Sequence, residues 1–326
     1  MNSMQDIAKL VGVSKATVSL VLSGKSGKRV SNATREKILS AAKESNFSAN
    51  DIARSLRTGK SKIISVIVTD ISNYFFGKLT FHLQEEAKKY GYLILIANNN
   101  ENDADFDEIV STLLSKKVDG IIAVPTAHSS GTIKRIIDSN IPVVQVDRFI
   151  EGMETPYVGV NNYDSARQAL DDLISTGCRK TALLSPGLDV SPVIERYNAY
   201  IDAVKAAGIY DESVIWRIDY GSKEEHCALA AKKILESGVD SVFFSSRRLF
   251  NHGVKAIHDL DPTALSRIKL LSFDEVSSYF SQEQNLWYIE HPIEQLAKKS
   301  FALILDWIHG NKDTGHYILE TTCIKP

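Results

Sequence analysis

From Lys62 to the C-terminus, short apolar runs alternate with segments of helical periodicity, and this rhythm constrains the fold more than any other feature of the chain. KIISVIV (62–68), YLILIA (92–97), GIIAVP (120–125) and PVVQVD (142–147) have the look of parallel strands buried on both faces. Helical segments separate them at 76–90, at 105–117 and after Ser130. A second series begins near Asn162: a helix to Thr176, strand TALLS (181–185), a helix from Val193 to Ala207, a strand at 214–218 and a helix after Ser222. SVFFS (241–245), a helix ending near Leu260, KLLSF (269–273) and LWYIE (286–290) follow. A last long helix spans 292–309, and YILETTCI (317–324) reads as one final strand. Two βα series predict two doubly wound parallel sheets, one per lobe. A chain of 326 residues is too long for one core, in agreement with that division.

The residues before Lys62 differ in charge. Residues 1–62 carry 12 Lys and Arg against 4 Asp and Glu, whereas the remainder carries 26 against 36. A basic head on an acidic body predicts that only the head meets a polyanion, the alternative being a solvated basic tail. Cys178, Cys227 and Cys323 are odd in number and widely spaced, so neither a disulfide framework nor a zinc site is expected, and the cytosol is the expected compartment. The N-terminus MNSMQDIAKL lacks a basic n-region followed by an apolar stretch, and no apolar run reaches membrane-spanning length.

Within the head, Ser3 to Leu22 reads as two short helices around a tight turn. Ser3 with Asp6 fits a capping box, Ile7, Ala8 and Val11 form one apolar face, and Ser14 can cap the second helix. A helix-turn-helix needs a small residue where its helices touch, a glycine in the turn and a β-branched wedge on the second helix. Ala8, Gly12 and Val18 supply them, and Lys15, Ala16, Ser19 and Leu20 then face a major groove. Ser31 caps a third helix, whose Ile38, Leu39 and Ala42 are expected to cover the first two. Asn50 to Arg57 is amphipathic but too short to be helical alone in water, so it should fold only when DNA and a twin copy support it. Gly24-Lys25-Ser26 and Gly59-Lys60-Ser61 look like ends of a phosphate loop, but Ser19 and Arg54 stand where that motif needs a further glycine. No GxGxxG follows a strand, so no dinucleotide cofactor is expected.

In doubly wound sheets ligands sit at the carboxyl ends of strands. Asp70 to Phe76 follows the first strand, Asp147-Arg148 the fourth, Arg247-Arg248 follows SVFFS, and Asp274 follows KLLSF; Arg196 lies on the helix after TALLS. Asn73, Phe75, Phe76, Asp147, Arg148, Arg196, Arg247, Arg248 and Asp274 are therefore the candidate ligand residues. For any one of them a surface salt bridge or a helix cap is the alternative. Two arginines in the first turn of a helix oppose its dipole unless a negative group offsets them. With Arg148 and Arg196 in the same cleft they predict an anionic ligand, a phosphate or a carboxylate, unless they face solvent or pair with the acidic body.

QDIAKLVGVSKATVSLVLSGK, RVSNATREKILSAAKE and ANDIARSLRTGKS resemble the head and hinge of the lactose-repressor (LacI-type) family of bacterial transcription regulators, and ISNYFF, VVQVDR, RYNAY and LSFDE resemble landmarks of its core. The resemblance implies a small all-α helix-turn-helix head (1–47), a hinge helix and linker (48–61) and a two-lobed α/β core (62–326) similar to periplasmic sugar-binding proteins. Its N-lobe would take 62–160 and 292–319 and its C-lobe 161–291 and 320–326, with crossings near Val160, His291 and Glu320. It implies DNA contacts by Lys15, Ala16, Thr17, Ser19, Leu20, Arg29, Asn50, Ala53, Arg54, Leu56 and Arg57, with Leu56 as a wedge between base pairs. It further implies that Arg196 and Asp274 grip sugar hydroxyls while Phe75 and Arg148 line the cleft.

The chain departs from the family pattern at several positions. Ala49 stands where a Pro is usual; Leu20 stands where Arg is commoner and the basic loop Gly24–Arg29 is long, two features that resemble the sucrose and fructose repressor branch and so imply a phosphorylated hexose such as a fructose phosphate. Arg247-Arg248 replaces an Asn-Asp pair and His291 a Gln. The expected protein is a cytoplasmic, nucleoid-associated homodimer, or a tetramer, that binds a pseudo-palindromic operator under control of a sugar or sugar phosphate. It is expected to be no enzyme, with no cofactor, metal or membrane partner. A two-lobed sugar-binding protein without DNA function and an α/β enzyme such as a sugar kinase are the alternatives.

Overall fold

The computed structural model describes residues 4–22, 26–45, 60–219, 221, 223–276 and 285–326. Ser3, Ala49 and the candidate contacts Asn50, Ala53, Arg54, Leu56 and Arg57 lie outside the described residues. The chain divides into two compact units, Met1–Lys62 and Ile63–Pro326.

The first unit contains α1 (Met4–Val11), α2 (Lys15–Leu22), a 3-10 turn (Gly27–Arg29) and α3 (Asn32–Glu44). Gly12 turns the chain between α1 and α2 at φ +73°, a conformation in which a Cβ would be strained. Ser14 Oγ accepts from Thr17 N (3.1 Å) and Ser31 Oγ from Thr34 N (3.2 Å), so each hydroxyl satisfies an otherwise unpaired amide of a first helical turn. Ile7, Ala8, Val18, Val21, Ile38, Ala41 and Ala42 form the core, with Val18 wedged in completely. Leu39 corrects the sequence reading: it is 47% exposed, and Ala41, next but one along α3, covers the inner face instead.

The second unit holds two six-stranded sheets. The first combines β1 (Ile63–Val68), β2 (Leu93–Asn98), β3 (Gly120–Ala123), β4 (Val143–Val146), β5 (Tyr157–Val160) and β11 (His316–Leu319), in the order β11-β5-β4-β3-β1-β2, all parallel. The second combines β6 (Thr181–Pro186), β7 (Ile215–Ile218), β8 (Ser241–Phe244), β9 (Lys269–Phe273), β10 (Leu286–Glu290) and β12 (Thr322–Ile324), in the order β12-β10-β9-β8-β6-β7. It is parallel except for β12, which runs antiparallel to β10.

Helices α4 (Tyr74–Lys89), α5 (Asp103–Lys116), α6 (Ser130–Asp138) and α11 (Ile293–Ile308) cover the first sheet. The period of two in β1 shows why both faces need covering: Ile64, Val66 and Val68 pack with Leu79 and Phe301, while Ile67 packs with Phe106 and Ile133. Helices α7 (Asn162–Ser175), α8 (Ser191–Ala206), α9 (Lys223–Ser237) and α10 (Arg247–Leu260) serve the second sheet, where Phe244 and Phe243 of β8 point into opposite layers.

Two elements differ from the sequence reading. β5 has no counterpart in the sequence reading: Pro156 precedes it and Gly159 interrupts its apolar run, and the Tyr157 ring lies over Gly159, where an added Cβ would come within 1.9 Å of the phenolic oxygen. YILETTCI is two strands rather than one, β11 in the first sheet and β12 in the second, with Glu320-Thr321 crossing between them. That crossing is fastened to the one after β5: Asn161 Oδ1 accepts from Thr321 N (3.2 Å), and Asn161 Nδ2 donates to the Glu320 carboxylate.

Candidate functional site

The carboxyl ends of the strands in the two sheets border one cleft, with about 840 Å³ of empty space including its mouth. Asn73, Phe75, Phe76, Asp147, Arg148, Arg196, Arg248 and Asp274 line it, joined by Asp70, Glu101, Asp219 and His291. Asn73 is also the cap of α4, its Oδ1 accepting from Phe75 N (3.0 Å). Phe75 and Phe76 are buried in the core of the first lobe, T-shaped to one another, and both line the cavity.

Glu101 (φ +60°), Asp147 (φ +67°) and Asp274 (φ +88°) are cleft carboxylates on left-handed backbone, shortly after β2, β4 and β9. Non-glycine residues hold such a conformation at a cost of about 1–3 kcal/mol, so the surrounding structure must enforce it. Asp147 N donates to Val158 O and the Tyr157 hydroxyl to Asp147 O, each at 3.0 Å, so the unexpected strand β5 is what fixes Asp147. Asp274 N donates to Ile289 O (3.0 Å) on β10.

Asp274 is the most supported group in the cleft. His291 Nε2 lies 2.7 Å from its Oδ1, and Arg247 N at the start of α10 donates to its Oδ2 (3.2 Å). Burial raises its carboxyl, but His291, Arg196 and the Arg247 amide outweigh burial and hold it below the usual range. Asp147 goes the other way: burial raises its carboxyl, and Arg148, Arg196 and His291 offset that only in part. Arg196 is buried, donates from Nε to Asn162 Oδ1 (2.9 Å) and from Nη1 to Ser245 O (2.9 Å), and lies 3.6 Å over the Phe273 ring. Burial lowers its pKa, opposed by Asp274, Asp147 and Glu195; a guanidinium stays charged through shifts of this kind.

Each of the four arginines that suggested an anionic ligand is engaged within the chain. Arg247 is outside the cleft, its guanidinium 4.0 Å over the Tyr74 ring. Arg248 Nη1 binds Asp70 Oδ2 (2.7 Å) across the mouth. Arg148 is held in a fork by Glu101, both bonds at 2.7 Å, with Asp147 at 3.7 Å. Acidic residues of the chain itself thus supply negative charge to Arg148 and Arg248, the salt-bridge alternative that the sequence left open. Glu101 and Asp70 are partners outside the candidate ligand residues: Asp70 stands in the segment singled out after the first strand, and Glu101 lies three residues beyond β2, behind Asn99 and Asn100.

On the head, Lys15, Ala16 and Arg29 are exposed, and Thr17, Ser19 and Leu20 half-exposed. Thr17 has a second task, since its amide and hydroxyl both bond Ser14 Oγ. Arg35, which the motif reading passed over, donates to Ser26 Oγ (2.8 Å) and Gly27 O (2.9 Å), and so anchors the loop that carries Arg29 to α3.

These two units match two family descriptions: bacterial regulatory proteins, lacI family, over residues 3–50, and periplasmic binding protein domain over residues 64–237. The ribose operon repressor of Halalkalibacterium halodurans is 29% identical over 325 residues, 99% of this chain and 96% of that protein. The maltose regulon regulatory protein MalI of Escherichia coli is 30% identical over 236 residues, 72% of this chain and 68% of that protein. Among solved structures, the lac repressor dimer bound to operator and an anti-inducer has a TM-score of 0.86 at 19% identity, over 99% of this chain and 97% of that one. The chain is a DNA-binding transcription regulator, and it belongs to the lacI family of bacterial regulatory proteins.

Proposed function

We propose that this regulator is a repressor that binds a pseudo-palindromic operator as a homodimer and is released from it, or tightened on it, by a sugar in the interlobe cleft. The observation that supports this best is the cleft itself. Asp274 is held as an acceptor for hydroxyl donors, with the Arg196 guanidinium acting on it and Phe75 in the lining for an apolar sugar face. α2 is the reading helix, with Lys15, Ala16, Ser19 and Leu20 toward base edges; apolar Leu20 favours a thymine methyl over guanine. Half-sites then lie roughly one helical turn apart.

The twin subunit pairs through the first lobe. Leu93 (64%) and Phe81 (57%) are exposed on edge strand β2 and on α4, and exposed apolar side chains of this size mark association surfaces. A gel shift with promoter fragments and a panel of sugars tests the whole reading: one fragment must bind in competition with random DNA, and one sugar must change that binding. Leu93→Asp/Phe81→Asp is expected to give a monomer in sedimentation at micromolar concentration and to lose operator binding. A double variant that stays dimeric places the interface elsewhere.

A further inference from the structure

Glu101 occupies Arg148 so completely that the pair must shape what the cleft accepts. Both carboxylate oxygens and both terminal nitrogens are used, at 2.7 Å each, with the two side chains 9% exposed. The backbone is bent to make this possible. Asn100 (φ +52°) and Glu101 (φ +60°) are consecutive left-handed residues without a glycine between them. Asn99, fully buried, holds the bend by accepting from Glu101 N at Oδ1 (3.0 Å), and its own amide nitrogen has no hydrogen-bond partner among the described residues. A surface ion pair needs no such strain, and strain of this kind gathers where function requires one geometry.

We propose that Glu101 is a specificity-determining residue: by filling the Arg148 fork it makes the cleft select an uncharged polyhydroxyl effector and refuse its phosphorylated counterpart. This rests on the reading of the cleft as the effector site. A phosphate seated on Arg148 would have to displace Glu101 and leave that carboxylate nearly buried without its partner. The described residues of the cleft offer no substitute, because Arg248 serves Asp70, Arg196 serves Asn162 and Ser245, and Asp147 and Asp274 disfavour an anion. Hydroxyl groups carry no such penalty, since they donate to the remaining carboxylate oxygens.

The test uses inorganic phosphate as probe, titrated calorimetrically into the full chain as wild type, Glu101→Gln and Glu101→Gln/Arg148→Gln. Wild type is expected to be indifferent to millimolar phosphate, Glu101→Gln to gain at least about tenfold in affinity, and the double variant to lose that gain. Wild type binding phosphate as tightly as a folded Glu101→Gln, or a folded Glu101→Gln without any gain, overturns the proposal. Should Glu101→Gln fail to melt cooperatively, Arg148→Met decides: equal indifference of wild type and variant supports the proposal, and loss of a phosphate affinity present in wild type overturns it. Because this reads the Arg148 fork directly, it stays separate from the effector reading, which fails instead if no sugar alters operator binding.

Discussion

Asp147 and Asp274 face one another's lobes in the same cleft, yet the protein treats them oppositely. For Asp147 burial dominates and raises the carboxyl. An acid raised in the folded state favours folding most below its unfolded pKa, and that contribution is lost as pH rises through the folded value. Asp147→Asn, also well suited to positive φ, is therefore expected to raise the melting temperature at pH 7, with the gain shrinking toward pH 3. For Asp274 the neighbours outweigh burial and depress the carboxyl. Its contribution is present above the unfolded value and lost as pH falls through the folded one, so Asp274→Asn should lower the melting temperature at pH 7 and matter less in acid. Melting curves of both variants across pH 3–7 check the pair; parallel shifts of the same sign would show that the environments do not differ in this way. Spacing along the chain marked both residues as cleft residues, because the strand-end rule is topological. It could not mark their opposite roles, which depend on His291 Nε2 and the Arg247 amide contacting Asp274 directly, whereas His291 acts on Asp147 only through its charge.

At the scale of elements, most strands were legible from their apolar runs, even where a polar residue interrupts them as in β7, and β5 was not. β1 and β8 announce themselves by IISVIV and SVFF, whereas β5 hides behind Pro156 and Gly159. The missing β-carbon at Gly159 is occupied by the ring of Tyr157, whose hydroxyl reaches Asp147 O. Gly159→Ala must push that ring away, so a loss of about 1–3 kcal/mol in denaturant unfolding is expected, together with weakened effector binding through Asp147. Unchanged stability would mean that Tyr157 can retreat without breaking its bond. The split of YILETTCI has a similar origin: a periodic pattern cannot show that the two halves of a run belong to different sheets, since that depends on Asn161 binding the crossing residues. In the head, Ser31 was readable because a cap acts within four residues of itself. Ser31→Ala should cost the head unit about 1 kcal/mol, seen as a lower melting midpoint for that unit alone.

Over the whole molecule, the charge division between head and body was visible at once, and the pairing of charges inside the body was not, because ion pairs such as Asp70–Arg248 join residues far apart in sequence. Among the described residues three contacts, one of them an ion pair, cross the mouth of the cleft. Arg248 binds Asp70 at 2.7 Å, the Tyr74 hydroxyl donates to Glu275 Oε2 at 2.9 Å, and Arg247 stacks on the Tyr74 ring. Asp70 and Tyr74 follow β1 in the first lobe; Arg247, Arg248 and Glu275 follow β8 and β9 in the second. The lobes thus have a means of staying closed that needs no ligand, and a ligand shifts their orientation only by its preference for one state over the other. Each tie is partly solvated and contributes about 0–1 kcal/mol, so losing one changes the closed-to-open ratio by up to about fivefold. Arg248→Ala/Tyr74→Phe removes the ion pair and the hydroxyl bond together and should raise the radius of gyration measured by X-ray scattering without ligand. High salt should do part of the same to wild type, since it screens the ion pair and leaves the hydroxyl bond. Restoring the pair in reverse, as Asp70→Arg/Arg248→Asp, should bring the wild-type curve back; an identical curve for wild type and Arg248→Ala/Tyr74→Phe would show that the ties follow closure and do not set it.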